Sequence, residues 1–195
     1  MSDDRKKWTL TEAAAVLGAP QHRLIYLCEK EVVQPDVQDA EGRGSSRRFS
    51  ARNLVEFAIA LRLRDLEIAA SFVGAVIHVL RAFERSTRRQ IADFRLPESL
   101  RDPRAPDLRV VIGDGARLYF TLASGGSAPK VYGGIDLREL ASSKKSLRAL
   151  ERKLARPKAS ARSGTSDRFG GPEGSRHARV ELSVTGIARE LRLDG

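Results

Sequence analysis

The 195-residue sequence is poor in several things, and each shortage excludes something. It has one cysteine, Cys28, so no internal disulfide framework is expected and a reducing compartment suits it. No apolar run approaches the roughly 20 residues of a membrane-spanning helix, so no membrane partner is expected. The opening Met1-Ser2-Asp3-Asp4-Arg5-Lys6-Lys7 leads into no apolar stretch, and no secretory signal is expected there. Paired carboxylates, a nucleophile elbow and metal-ligand spacings are all missing. His78 has no Cys, Asp or Glu at ligand spacing. Gly113-Asp114-Gly115 lacks the third glycine of a dinucleotide fingerprint, and Gly42-Arg43-Gly44 lacks the Lys-Ser/Thr ending of a phosphate loop. No catalytic residue, metal ligand or cofactor can therefore be named, and the expectation is a protein that is not an enzyme.

Negative charge is also in short supply: 25 acids face 35 Lys+Arg, leaving a net charge of +10. Such an excess favours polyanionic partners, nucleic acid above all. Hydrophobic residues make up 41% of the chain and charged residues 31%, a globular composition with room for one medium domain or two small ones.

The pattern along the chain predicts an α+β protein. Thr9 and Glu12 have capping-box spacing, and the alanine- and leucine-rich helix they open stops at Gly18-Ala19-Pro20. A second helix is predicted from Gln21 to about Lys30, with Leu24, Leu27 and the small apolar Cys28 at i, i+3 and i+4 as its buried stripe. Val32-Val33 and Arg47-Arg48-Phe49 flank a polar Gly/Arg tip, which predicts a hairpin. Ser50 caps a third helix from Ala51 to about Leu66, with Leu54, Phe57, Ala58 and Leu61 inward. A fourth helical pattern runs from about Ala70 to Ile91, and Pro97, Pro103 and Pro106 mark a linker. Leu108–Ile112 and Arg117–Leu122 read as a β-hairpin, and Val131-Tyr132 as a further strand. Asp136 and Ser142 are candidate caps for helices reaching about Ala155. Residues 156–178 read as a disordered basic linker, and 179–195 as one late strand carrying Val180, Leu182 and Val184.

The ordered series Trp8-Thr9-Leu10-Thr11-Glu12-Ala13-Ala14, Leu17-Gly18, Leu24-Ile25-Tyr26, Val32-Val33-Gln34-Pro35, Arg47-Arg48-Phe49-Ser50 and Asn53-Leu54 resembles the winged helix-turn-helix of MerR-family bacterial transcription regulators. The resemblance covers Trp8 to about Val73. It departs at Ile25 and Leu27, where the family carries an arginine and a tyrosine, and at Glu31, where it carries a glycine. The family's dimerising coiled coil would follow, but Pro97 cuts the candidate helix short.

The resemblance implies a reading helix in the major groove and a wing on the sugar–phosphate backbone. Gln21, His22 and Arg23 are the candidate base readers, with Tyr26 beside them. Arg43, Arg47, Arg48 and Arg52 are the candidate phosphate contacts. The divisions that follow are 1–72 for the DNA-binding domain, 73–106 for a connecting helix and linker, and 107–155 for a small α+β domain serving self-association or a protein partner. A homodimer on a palindromic site and a cytoplasmic, nucleoid-associated location are expected. Other readings stay open: a DNA-binding antitoxin, a recombination-accessory or architectural protein, or an RNA-binding protein. From Arg138 to Arg168 ten basic residues face three acids, a second candidate grip on phosphate.

Overall fold

A computed structural model describes residues 6–36, 47–89, 92–113, 116–123, 130–138 and 179–191. Among them six helices accompany one four-stranded antiparallel sheet, an α+β architecture.

The first two helices are short and sharply bounded. α1 (Leu10–Leu17) begins with the expected capping box: Thr9 accepts the Glu12 amide N–H, and the Glu12 carboxylate accepts the Thr9 N–H at 2.7 Å. It ends at Gly18, φ +59°, where the Ala19 N–H reaches the Ala14 carbonyl and the Gly18 N–H the Ala15 carbonyl. That pair of bonds is a Schellman closure, for which glycine suits the left-handed position. α2 (Gln21–Glu29) buries Leu24, Leu27 and Cys28, the stripe its spacing predicts. It closes the same way, with the Val32 N–H on the Leu27 carbonyl and the Glu31 N–H on that of Cys28. Here the left-handed residue is Glu31, φ +55°.

α3 (Ala51–Asp65) is the centre of the molecule. It touches α1, α2 and α4 (Ala70–Arg88), and also the helix near the C-terminus, α6 (Val184–Glu190). One apolar stripe is expected from the pattern, yet every residue from Asn53 to Leu61 is buried, because neighbours surround the helix. Ser50 caps it, accepting the Asn53 N–H. Its end is a third Schellman closure, with Ile68 N–H to Leu63 and Glu67 N–H to Arg64, and Glu67 stands at φ +60°.

A non-glycine residue in this region costs about 1–2 kcal/mol, and glycine's greater freedom when unfolded takes back about 0.4–1. Glu67→Gly is therefore expected to raise stability by about 0.5–1 kcal/mol, or about 1–4 °C in a thermal melt. An unchanged or lower midpoint would show that no strain resides at Glu67.

β1 (Asp107–Gly113) and β2 (Arg117–Ala123) form the expected hairpin, in register from Asp107 opposite Ala123 to Gly113 opposite Arg117. β3 (Lys130–Asp136) pairs with β2, and β4 (Val180–Ser183) with β1, giving the order β3-β2-β1-β4. Leu108, Val110, Ile112, Leu118 and Phe120 are buried, and Phe120 stacks on Phe83 of α4 at 5.5 Å. A single apolar cluster thus runs from Trp8 and Phe49 through α3 and α4 to the sheet and α6.

The structure corrects three expectations. Val32 and Val33 are not a strand: the closure of α2 turns them into the core, and Phe49 pairs instead with Trp8 in an isolated antiparallel bridge, N–H to O at 2.9 and 3.0 Å. The stretch read as a linker holds a short helix, α5 (Glu98–Arg101). The late strand stops at Ser183, whose hydroxyl accepts the Gly186 N–H at 2.8 Å and caps α6, so Val184 is helical. Thr185 then continues the strand's work with its side chain, accepting the Leu108 N–H at 2.8 Å and donating to the Pro106 carbonyl at 3.2 Å. Asp136 does accept the Arg138 N–H at 2.8 Å. The Ser142 cap, the helix to Ala155, the 156–178 linker and the hairpin tip 37–46 lie outside the described residues.

Candidate nucleic-acid interface

The burial of α2 decides which of its side chains can meet a partner. With Leu24, Leu27 and Cys28 inward, Gln21, His22, Ile25 and Tyr26 stand on the exposed surface, the last two at 37% and 38%. The N-cap is Pro20, which offers no side-chain cap, and no acid occupies the first turn. That end of the helix therefore presents the Gln21 and His22 N–H groups without a side-chain cap, the Arg23 N–H being bonded to the Pro20 carbonyl, while Glu29, Lys30 and Glu31 lie at the other end. The polarity suits an anionic partner at the N-terminal end. Gln21 offers an amide that can both donate and accept, and a guanidinium can chelate the two acceptors of a guanine edge.

The first turn of α1 joins this surface to the chain entering α3. Thr11 donates to the Gln21 side-chain carbonyl at 3.4 Å. The Glu12 carboxyl is held below its ordinary value, chiefly by the Thr9 N–H, then by the Thr9 hydroxyl, with the charges of Arg48 and Lys6 adding to it. Lys6 lies over the Trp8 ring and Arg48 precedes Phe49 in the bridge to Trp8, so both stand beside the Thr9 cap of the helix that Gln21 touches. The Trp8–Phe49 bridge fixes Arg48 there, and Phe49 anchors it by packing edge-on against Phe57 at 5.2 Å. Arg47 and Arg48 are half-buried.

Several predicted contacts have partners within the chain or lie outside the described residues. Tyr26 is exposed but engaged, with the Lys30 ammonium 5.8 Å and the Arg64 guanidinium 6.0 Å from its ring. Arg23 is half-buried and paired with Asp65 at the end of α3. Arg43 lies outside the described residues, as does the basic stretch after Arg138. Arg52 is engaged within the fold. Its guanidinium holds Asp36 at 2.6 Å and Glu84 at 3.2 Å, with Glu56 at 4.0 Å.

Arg52 belongs to a buried polar network at the base of the 37–46 segment, which the sequence pattern did not reveal. Glu56 and Glu84 are 1% and 2% exposed, and Asn53 is fully buried. Arg81 reaches across from α4 to grip both Glu56 oxygens, at 2.5 and 2.6 Å, and also donates to the Gln34 carbonyl. Asn53 donates to Gln34 and Glu56 and accepts the Asp36 and Ser50 N–H groups. Both flanks of the segment, Gln34–Asp36 and Ser50–Asn53, are thereby tied to one point. Arg52 and Glu56 stand at i, i+4, the one local signal that these charges pair with each other.

Among the described residues no group of three or more His, Cys, Asp or Glu is placed to hold a metal ion, and no helix is long and apolar enough to cross a membrane. A groove beside the site, about 330 Å³, lies between the Gly18–Pro20 turn, α3 and α6, with Arg23, Arg62, Asp65 and Glu190 on its walls. Comparison of the chain with protein-family models and with curated proteins gives no match.

Proposed function

We propose that this chain is a sequence-specific double-stranded DNA-binding protein, a MerR-like transcriptional regulator acting in the bacterial cytoplasm on the nucleoid. In this reading α1, the Gly18–Pro20 turn and α2 are a helix-turn-helix, and the segment from Asp36 to Phe49 is the wing. Gln21, His22 and Arg23 read base edges, while Arg47 and Arg48 hold the backbone. The protein binds a two-fold operator as a homodimer, and the sheet region serves self-association or a protein partner.

The observation that carries the reading is the convergence of two sequence-distant features on the start of α1. Gln21, the first residue of α2, touches its first turn, and the Trp8–Phe49 bridge brings Arg48 beside its Thr9 cap. A reading helix and a backbone clamp must share a face to engage one duplex.

Replacing Arg47 and Arg48 together by alanine is expected to weaken duplex binding and to shallow its salt dependence by about 0.9 for each phosphate no longer neutralised. Anisotropy titrations across a salt series check this. Identical slopes for the wild type and the double variant would remove these arginines from the interface.

A further inference from the structure

We infer that Asp65 is a specificity-determining residue for the interface proposed above, acting by holding Arg23 away from phosphates. The inference rests on that reading of α2. Arg23 stands in the first turn of α2, and its guanidinium donates to the carboxylate of Asp65, 42 residues later at the last position of α3. The pair is open to solvent, at 35% and 58% side-chain exposure.

Stability does not account for this acid. An exposed ion pair contributes only about 0–1 kcal/mol. A carboxylate at a helix C-terminus also faces the negative end of the helix dipole, which disfavours it by about 0.3–1 kcal/mol. The rest of the last turn obeys the dipole rule, with Arg62 and Arg64. Asp65 breaks that rule at the one place where its side chain meets a reading residue, and local rules are broken most often where function requires it.

The chemistry explains what is gained. A free guanidinium binds any phosphate, so an unrestrained Arg23 would strengthen binding to every sequence alike. Held by Asp65, Arg23 gives up that non-specific grip. A guanine edge offers two acceptors in the plane of the guanidinium and bears no full charge, so it can share Arg23 with Asp65. Asp65 thus raises the ratio of specific to random binding by lowering its denominator.

The test is a double-mutant cycle on the full chain with a short random-sequence duplex as probe. Asp65→Asn is expected to bind it about fivefold more tightly at roughly 0.15 M salt, with a salt slope steeper by about 0.9, the signature of one more phosphate neutralised. In an Arg23→Ala background the same substitution should change neither quantity. Glu181→Gln, which removes one acid on β4, controls for net charge. The inference is overturned if Asp65→Asn leaves random binding unchanged or weaker, if Glu181→Gln matches it, or if the effect survives Arg23→Ala. In those cases a wild type that still binds duplex leaves the interface itself standing. A wild type that binds no duplex at any salt defeats both.

Discussion

Arg81→Met is expected to lower stability by about 3–5 kcal/mol at neutral pH, the loss typical when one partner of a buried ion pair is removed. Glu56 is 1% exposed, and Arg81 supplies two of the hydrogen bonds to its oxygens. Burial pushes the Glu56 carboxyl above its ordinary value, while the Arg81 hydrogen bonds and charge, then Asn53 and Arg52, pull it back down. Without Arg81 the carboxyl rises further. A group raised in the folded state favours folding below its unfolded value and loses that contribution as pH climbs through the folded one. The deficit of Arg81→Met is therefore largest at neutral pH and narrows as pH falls toward 4.5 and below, where Glu56 is protonated folded or unfolded. Denaturant titrations at neutral and acid pH read this directly. A deficit independent of pH would mean that poorer packing, and not the stranded carboxylate, accounts for the damage.

The same network shows where the sequence is legible and where it is not. The Thr9–Glu12 capping box, the glycine stop at Gly18, the Ser50 cap and the α2 stripe all rest on neighbours within one or two turns, and the structure keeps each. The 108–122 hairpin is equally local, its two β runs paired in register up to Gly113 opposite Arg117. For Arg52 the sign is readable in the sequence and the partners are not. Asp36 and Glu84 lie 16 and 32 residues away, and Glu84 meets it only after α4 packs on α3. Val32-Val33 has strand-forming residues, but the end of α2 had already set their direction. Val180, Leu182 and Val184 alternate as a strand does, and only the Ser183 cap breaks the run. Of the candidate interface, the exposed face of α2 follows from periodicity. The pairing of Arg23 with Asp65 follows from tertiary packing alone.

Ile187→Ala is expected to lower stability by about 2–5 kcal/mol, the range for a truncated core isoleucine, and the loss should register at the opposite end of the chain. Ile187 is fully buried in α6, a helix that packs on α3 as well as on β1 and α5. Around it α6 is held by side chains that reach both ways. Arg189 donates to the carbonyls of Leu100 and Asp102, while Glu190 pairs with Arg62 of α3. The core cluster that includes Ile187 also includes Trp8, and Trp8 is the chain's one tryptophan. Trp8 is 3% exposed and bridged to Phe49 beside α1, so its fluorescence reports the helices proposed to bind DNA. If one core unites these parts, the Trp8 transition in Ile187→Ala shifts to lower denaturant together with the loss of β-sheet signal. If the helices fold without α6, the Trp8 midpoint stays at its wild-type position while the sheet transition alone moves, and the two curves separate. Coincident shifts would mean that the strand and helix near the C-terminus stabilise the proposed DNA-binding face, through α3, although they lie outside it.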